Sequence, residues 1–278
     1  MNPWLLQFED ISYTYPGGQQ PALNQLTISI PARKKSALIG HNGCGKSTLL
    51  FLADGLYKPQ QGNIRWRTEP LKYDHHSLSR WRQRIGLAFQ DPEQQLVAGT
   101  VAEDISYGLC NLQLTQVEIE RRVKQTLADF ALQELADRPL HHLSLGQKRR
   151  VALAGVMALQ PELLLLDEPT AYLDGVQTRN LMVELEQIHA AGTTTVMATH
   201  DLDLAYQWAD WIFILHQGQL IMEGEAKDVF VQRDILEELQ LGVPLLWDVW
   251  EALPTDVCSK KDKSYPKTIS ELRERLLG

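Results

Sequence analysis

Gly40-His41-Asn42-Gly43-Cys44-Gly45-Lys46-Ser47-Thr48, preceded by the apolar run Ser36-Ala37-Leu38-Ile39, is the stretch whose reading decides the fold. Its first eight residues fit G-x-x-x-x-G-K-[ST], and they stand between a buried-strand pattern and a helical pattern over 46–54, the context this loop requires. Glycines let the backbone curl until successive N–H groups converge on an anion, and the following helix N-terminus adds its partial positive charge. In such a loop Lys46 reaches the β- and γ-phosphates of a nucleotide and the Ser47 hydroxyl ligates Mg²⁺. A glycine-rich turn carrying a surface lysine is the plainer alternative, and the strand-then-helix setting argues against it.

Outward from this loop, short β-branched runs alternate with amphipathic stretches, which predicts an α/β protein. Strands are expected over 6–13, 26–30, 36–39, 64–66, 85–89, 163–166, 194–198, 212–215 and 219–222. Helices are expected over 46–54, 101–112, 115–131, 147–159, 175–190 and 203–209, with Thr115 and Ser144 as caps. Residues 57–83 read as a surface excursion. The run Leu163-Leu164-Leu165-Leu166-Asp167-Glu168 is a fully apolar strand ending in two acids, which puts carboxylates at the carboxyl edge of a sheet beside the phosphate loop. Asp167 suits Mg²⁺ and Glu168 suits polarisation of an attacking water, since phosphoryl transfer asks mainly for positioning and charge neutralisation. The two elements together define a P-loop nucleotide hydrolase.

Leu143-Ser144-Leu145-Gly146-Gln147-Lys148-Arg149-Arg150 lies between those elements. Here the sequence resembles the ATP-binding cassette family, whose signature reads LSGGQ followed by basic residues, with Leu145 departing from the usual glycine. The resemblance implies a P-loop core with an antiparallel β subdomain and an α-helical signature subdomain over about 91–160. It also implies a head-to-tail dimer in which Ser144, Gly146 and Gln147 face the γ-phosphate of ATP held by the other subunit. Tyr15, in preference to Tyr13, resembles the aromatic on which adenine stacks. Gln90 resembles the glutamine that reaches Mg²⁺ and links the site to a membrane partner. Asp174 resembles the aspartate at the dimer seam, although Tyr172 and Gly175 depart from the commoner Gly-Leu-Asp-Pro wording. His200 resembles the switch histidine on the γ-phosphate. The ATP site so implied comprises Tyr15, Gly40, His41, Asn42, Gly43, Cys44, Gly45, Lys46, Ser47, Thr48 and Gln90, with Glu168, His200 and Lys46 catalytic and Ser47, Gln90 and Asp167 on Mg²⁺.

Phe89-Gln90-Asp91-Pro92-Glu93-Gln94-Gln95 narrows the resemblance to the energy-coupling-factor ATPases, in particular those of cobalt and nickel uptake. That implies an ATP hydrolase on the cytoplasmic face of the cell membrane. It would form a homodimer or a heterodimer with a related ATPase, bound to an integral membrane scaffold and a separate substrate-binding subunit. Cobalt is the first expected cargo, nickel the second and a vitamin the third. Cargo does not touch such an ATPase, and the adjacent histidines His75-His76 and His141-His142 read as solvated. Cys44, near a helix N-terminus, either has a lowered pKa or simply fills a free position of the loop.

The whole-chain arithmetic fits this reading. With 278 residues, 35 acids against 27 bases and a net charge of -8, the chain lacks the basic balance of a protein held on nucleic acid, so nucleic acid is not an expected partner. No apolar run approaches the ~17–25 residues of a membrane span, the first dozen residues lack a signal-peptide pattern, and three cysteines make no disulfide framework. One nucleotide-binding domain is expected over 1–241 and a C-terminal extension over 242–278, with a helix over 268–277. A soluble cassette protein of DNA repair or translation would carry a second cassette or a long coiled-coil insertion, and neither is visible. A non-hydrolysing regulatory module would show a damaged Glu168 or His200, and both are intact.

Overall fold

The computed structural model describes residues 3–254 and 265–277. Two sheets form its frame. Strands β1 (Trp4–Tyr13), β2 (Leu23–Pro31), β4 (Gln61–Trp66) and β5 (Glu69–Pro70) make an antiparallel sheet in the order β2-β1-β4-β5. The other sheet runs β10-β9-β3-β8-β7-β6, built from β3 (Lys35–Ile39), β6 (Ile85–Ala88), β7 (Leu163–Asp167), β8 (Thr194–Thr199), β9 (Trp211–His216) and β10 (Gln219–Glu225). Its pairings are parallel except for the antiparallel edge strand β10.

The apolar runs read from the sequence are the middle of this parallel sheet, and every residue of β7 and β8 is buried. Alternation across the pleat sends successive side chains to opposite faces. Leu164, Leu166, Met197 and Ile39 join a core beneath the helices, while Leu163, Leu165, Val196 and Leu38 join a second core against the antiparallel sheet. A strand with no polar face is stable only when covered on both sides, which is why these runs are apolar throughout.

Helices α1 (Lys46–Ala53), α3 (Val101–Cys110), α4 (Gln116–Asp129), α5 (Leu145–Ala158), α6 (Gly175–Ala190) and α7 (Leu202–Trp208) occupy the expected stretches. Thr115 caps α4 by accepting from the Glu118 N–H, and Ser144 caps α5 in a reciprocal box with Gln147. Segment 57–83 is not only a surface excursion, because it contains β4, β5 and helix α2 (His75–Arg84). Only Trp81 of α2 is buried, so no apolar stripe advertised the helix. It is fixed instead by the Asp74 cap and by the Trp81 indole N–H donating to the Ala53 carbonyl at 2.7 Å.

After β10 come α8 (Ala226–Phe230), α9 (Arg233–Glu238), α10 (Leu245–Ala252) and a helix at Ile269–Leu277, the last lying where the amphipathic pattern placed it. Trp247 of α10 is 1% exposed and packs edge-on against Tyr206 of α7 at 5.7 Å and flat against Tyr265 at 3.6 Å. The Tyr206 hydroxyl donates to the Pro266 carbonyl at 3.1 Å and the Lys267 ammonium to the Ala209 carbonyl at 2.8 Å. The described residues beyond position 241 are therefore docked on the main core. Among the described residues no helix is long and apolar enough to cross a membrane.

Candidate functional site

Strand order brings the separate sequence motifs together. β8 lies between β3 and β7 and runs parallel to both, so the chain leaves all three strands on one edge. The phosphate loop follows β3, Glu168 follows β7, and His200 follows β8. The carboxyl edge of a parallel sheet is where such folds place their ligands. An open cleft of about 950 Å³ lies there, lined by Tyr15, Asn42, Gly43, Gly45, Lys46, Ser47, Thr48, Gln90, Glu168 and His200 among others.

Two glycines of the loop are required by space. At Gly45 φ is 109°, and a Cβ would sit 2.6 Å from the Ala22 carbonyl oxygen. At Gly40 a Cβ would meet the Leu215 carbonyl oxygen at 2.3 Å. Neither position accepts a side chain without moving backbone.

Lys46 is 6% exposed; its ammonium donates to the Gly40 carbonyl at 2.6 Å and to that of His41 at 3.3 Å. It lies 3.7 Å from Glu168 Oε1. The other Glu168 oxygen is 2.9 Å from His200 Nδ1, and the His200 side chain is largely open to solvent. Glu168 has φ 44°, a left-handed conformation held by its N–H donating to the Ala198 carbonyl at 2.9 Å. Strain of this kind persists where the surroundings over-determine the backbone. The cluster offers an anion-binding cation, a carboxylate able to take a proton from water, and an imidazole reaching toward solvent.

Asp167 is 4% exposed, with one carboxylate oxygen making no hydrogen bond and the Ser47 hydroxyl close to the carboxylate. Burial, reinforced by Glu168, raises its pKa, with Ser47 and Lys46 opposing. Asp167 is not on the cleft wall, but its buried, under-satisfied carboxylate beside Ser47, with the Ser47 hydroxyl and the Gln90 amide on that wall, makes a hard-oxygen donor set that fits Mg²⁺. Among the described residues no group of three or more His, Cys, Asp or Glu side chains could hold a metal ion, and the His141 and His142 rings pack on one another at 4.2 Å.

Tyr15 and Tyr13 differ in exposure. Tyr13 is 8% exposed and stacked on Tyr57, whereas Tyr15 is 39% exposed on the cleft, with its hydroxyl 2.9 Å from the Thr48 hydroxyl. Three loop residues do not line the cleft. Gly40 and Cys44 pack inward, and the His41 ring turns away to the Leu239 carbonyl, 2.9 Å from Nε2. Burial pushes the Cys44 thiol pKa up despite the nearby Lys46, which corrects the alternative of a thiol activated by the helix N-terminus.

Ser144, Gly146 and Gln147 open on a separate, smaller cleft shared with Leu173 and Gln177. Asp174 caps α6 there, accepting from Val176 and Gln177 N–H at 2.8 Å each. Leu145 takes ordinary helical backbone at the start of α5, so the missing signature glycine costs no strain. Tyr172 does stand in a left-handed conformation, φ 63°, where glycine is at ease.

Sequence reasoning missed Gln20, Pro21, Ala22, Thr170, Thr199 and Asp201 on the cleft wall. Their only signal was adjacency to Tyr15, Glu168 and His200 in the chain. It also missed Arg149, which donates to the carbonyls of Gln90 at 2.9 Å and of Pro169.

Comparison with known proteins agrees with this geometry. Residues 23–171 match the ABC transporter family. A protein of Nostoc sp., named provisionally as an ABC transporter ATP-binding protein, is 59% identical over 250 residues, covering 90% of this chain and 91% of its own. An energy-coupling factor transporter ATP-binding protein, EcfA, of Carboxydothermus hydrogenoformans is 39% identical, covering 88% and 90%. The cobalt import ATP-binding protein CbiO of Rhodobacter capsulatus is 42% identical, covering 88% and 87%. Among solved structures, cbiO1 of Clostridium perfringens, part of the transporter complex cbiONQ, superposes with a TM-score of 0.75 at 36% identity, covering 90% of this chain and 99% of that one.

Proposed function

The chain belongs to the ABC transporter family, as an ATP-hydrolysing subunit of the energy-coupling-factor and CbiO type, and from that premise we propose that it drives import of a transition-metal ion, cobalt first, with nickel as the alternative. The observation that carries the catalytic part is the meeting of Lys46, Glu168 and His200 where β3, β7 and β8 end side by side. The likeness to a cobalt import protein supports the choice of cargo.

In this reading the adenine ring stacks on Tyr15 and the phosphates lie in the loop of Asn42, Gly43, Gly45, Lys46, Ser47 and Thr48. Ser47, Asp167 and Gln90 would hold Mg²⁺, which would neutralise phosphate charge when bound. Glu168 accepts a proton from the attacking water while His200 holds the carboxylate and contacts the γ-phosphate. Lys46 exchanges the Gly40 carbonyl for phosphate oxygens.

Ser144, Gly146 and Gln147 line a cleft separate from the chain's own nucleotide cleft, which supports a head-to-tail dimer in which the signature of one subunit faces the ATP of the other. Both halves of that composite site occur in this one chain, so a homodimer is sufficient. We assign the dimer to the cytoplasmic face of the membrane, on an integral scaffold and a separate substrate-binding subunit. The cargo assignment is tested by purifying the chain with its membrane partners in vesicles and measuring ATP-dependent uptake of labelled cobalt against nickel. Uptake of neither ion, with ATP hydrolysis intact, would remove the metal cargo and leave the transporter class.

A further inference from the structure

We propose that Gln95 is a positioning residue for ATP hydrolysis. Its side-chain amide fastens the Gln90 segment to the signature helix α5, so that Gln90 and Ser144 move as one body.

The amide of Gln95 makes two backbone hydrogen bonds that no other side chain in the segment makes. Oε1 accepts from the Phe89 N–H at 3.1 Å, and Nε2 donates to the Ala152 carbonyl of α5 at 3.2 Å. Phe89 immediately precedes Gln90. Ala152 is eight residues along α5 from its cap Ser144, about 12 Å at the rise of an α-helix. Arg149, one turn earlier on α5, closes the other side by donating to the Gln90 carbonyl at 2.9 Å. The same guanidinium reaches the carbonyl of Pro169, which follows Glu168. Gln90 is thus held through its preceding N–H and its own carbonyl, both times by groups fixed to α5. Beyond Gln95 the chain is pinned again, with Asp104 of α3 accepting from the Val97 and Ala98 N–H groups at 2.8 and 3.1 Å.

The residue type is informative. A primary amide accepts and donates at once, so one side chain satisfies an N–H on the core and a C=O on the helix. A carboxylate at the same place could only accept, leaving Ala152 unanswered. Leucine fills the space and answers neither group. Gln94, its neighbour, is exposed and bonds only Asp91, so the two adjacent glutamines are not equivalent.

The inference rests on the reading that Gln90 answers to the bound nucleotide. If it does, any displacement of Gln90 reaches the signature serine through hydrogen bonds rather than through flexible loop. Loss of the Gln95 bridge should slow turnover without weakening ATP binding, because Gln95 does not line the nucleotide cleft.

The test is a double-mutant cycle on the assembled transporter, measuring kcat and KM for ATP in Gln90→Ala, Gln95→Leu and the double variant, with thermal midpoints as a control for folding. We expect Gln95→Leu to lower kcat about tenfold at unchanged KM, and the double variant to be no slower than Gln90→Ala alone, since residues acting through one another are not additive. Gln95→Glu, which keeps the acceptor for Phe89, should fall between wild type and Gln95→Leu, and it carries the cycle if Gln95→Leu does not fold. Wild-type kcat in the Gln95 variants, or a double variant slowed by the product of the two single effects, would overturn the role of Gln95 while leaving that of Gln90 intact. Wild-type turnover in Gln90→Ala would instead overturn the reading of Gln90 itself.

Discussion

Replacing Glu168 by glutamine separates binding from chemistry in this site. The carboxylate is 7% exposed, with one oxygen 2.9 Å from His200 Nδ1 and the other 3.7 Å from the Lys46 ammonium. Glutamine preserves its shape and still offers His200 a hydrogen-bonding atom, so the fold and the phosphate loop should survive. What disappears is the basic lone pair and one negative charge. A positioned general base contributes about 10²–10⁴ in rate, which at 1.36 kcal/mol per decade is about 3–5 kcal/mol of barrier. Phosphate release by Glu168→Gln should therefore fall by that factor. ATP affinity should hold or improve, because Lys46 then faces the phosphates with no competing carboxylate. The unspent ATP should trap a closed dimer visible by size exclusion. Turnover within a few-fold of wild type would refute the assignment of Glu168 as base, and loss of ATP binding would refute the claim that the substitution spares the loop.

Three further outcomes are expected. Tyr15→Ala should raise the KM for ATP about 5- to 150-fold, the worth of one base–aromatic stack at about 1–3 kcal/mol, while Tyr15→Trp keeps the wild-type value. Asp54 is 8% exposed and its pKa is pushed up from 3.8 to about 7 by burial, which outweighs Arg82 at 3.7 Å because that arginine side chain is itself 43% exposed. The folded state thus binds this proton more tightly than the unfolded chain, so its contribution to stability falls as pH rises from about 4 to 7; urea unfolding should find Asp54→Asn increasingly more stable than wild type over that window, by up to about 4 kcal/mol above pH 7, and no pH-dependent difference would refute the shift. Tyr172→Gly should relieve a left-handed residue and raise the unfolding midpoint by about 2 °C, the strain relief of about 1–2 kcal/mol being partly offset by the greater unfolded-state entropy of glycine.

What the sequence made legible follows from how each element is held. The phosphate loop, the Leu163–Leu166 strand and the Ser144 cap carry their constraints locally, in glycines, a two-faced apolar run and a capping box, and all three lie where they were expected. Helix α2 carries no such signal, because it is capped by Asp74 and held to the end of α1 by one buried tryptophan and by Arg82, which donates to the Asp54 and Gly55 carbonyls. Helix α10 was hidden for a related reason. Pro244 reads as a breaker, yet it stands as the residue just before that helix, where a missing N–H costs nothing, and Trp247 finds its partners Tyr206 and Phe230 in elements far back in the chain. The Gln95 and Arg149 bridges were invisible because their partners are backbone groups, which carry no residue identity.

The polar interior of the site bears on the order of events. Lys46 is held by two carbonyls of its own loop and pairs at 3.7 Å with Glu168 Oε1, which accepts no hydrogen bond, while the other Glu168 oxygen is engaged with His200, so the charges of these three groups compensate one another. An incoming phosphate must displace the lysine from the Gly40 carbonyl before it can be held. That exchange costs little, since a charged donor only trades a neutral acceptor for an anionic one. Asp167 also has a buried oxygen with no hydrogen-bond partner, but among the described residues it makes no ion pair, whereas Glu168 has Lys46 and His200 beside it. The site is therefore closer to satisfied for charge on the lysine side than on the aspartate side. It gains most from a ligand that brings both an anion for Lys46 and a cation for Asp167, and a nucleotide accompanied by Mg²⁺ meets that demand where a free phosphate or a bare metal ion would not.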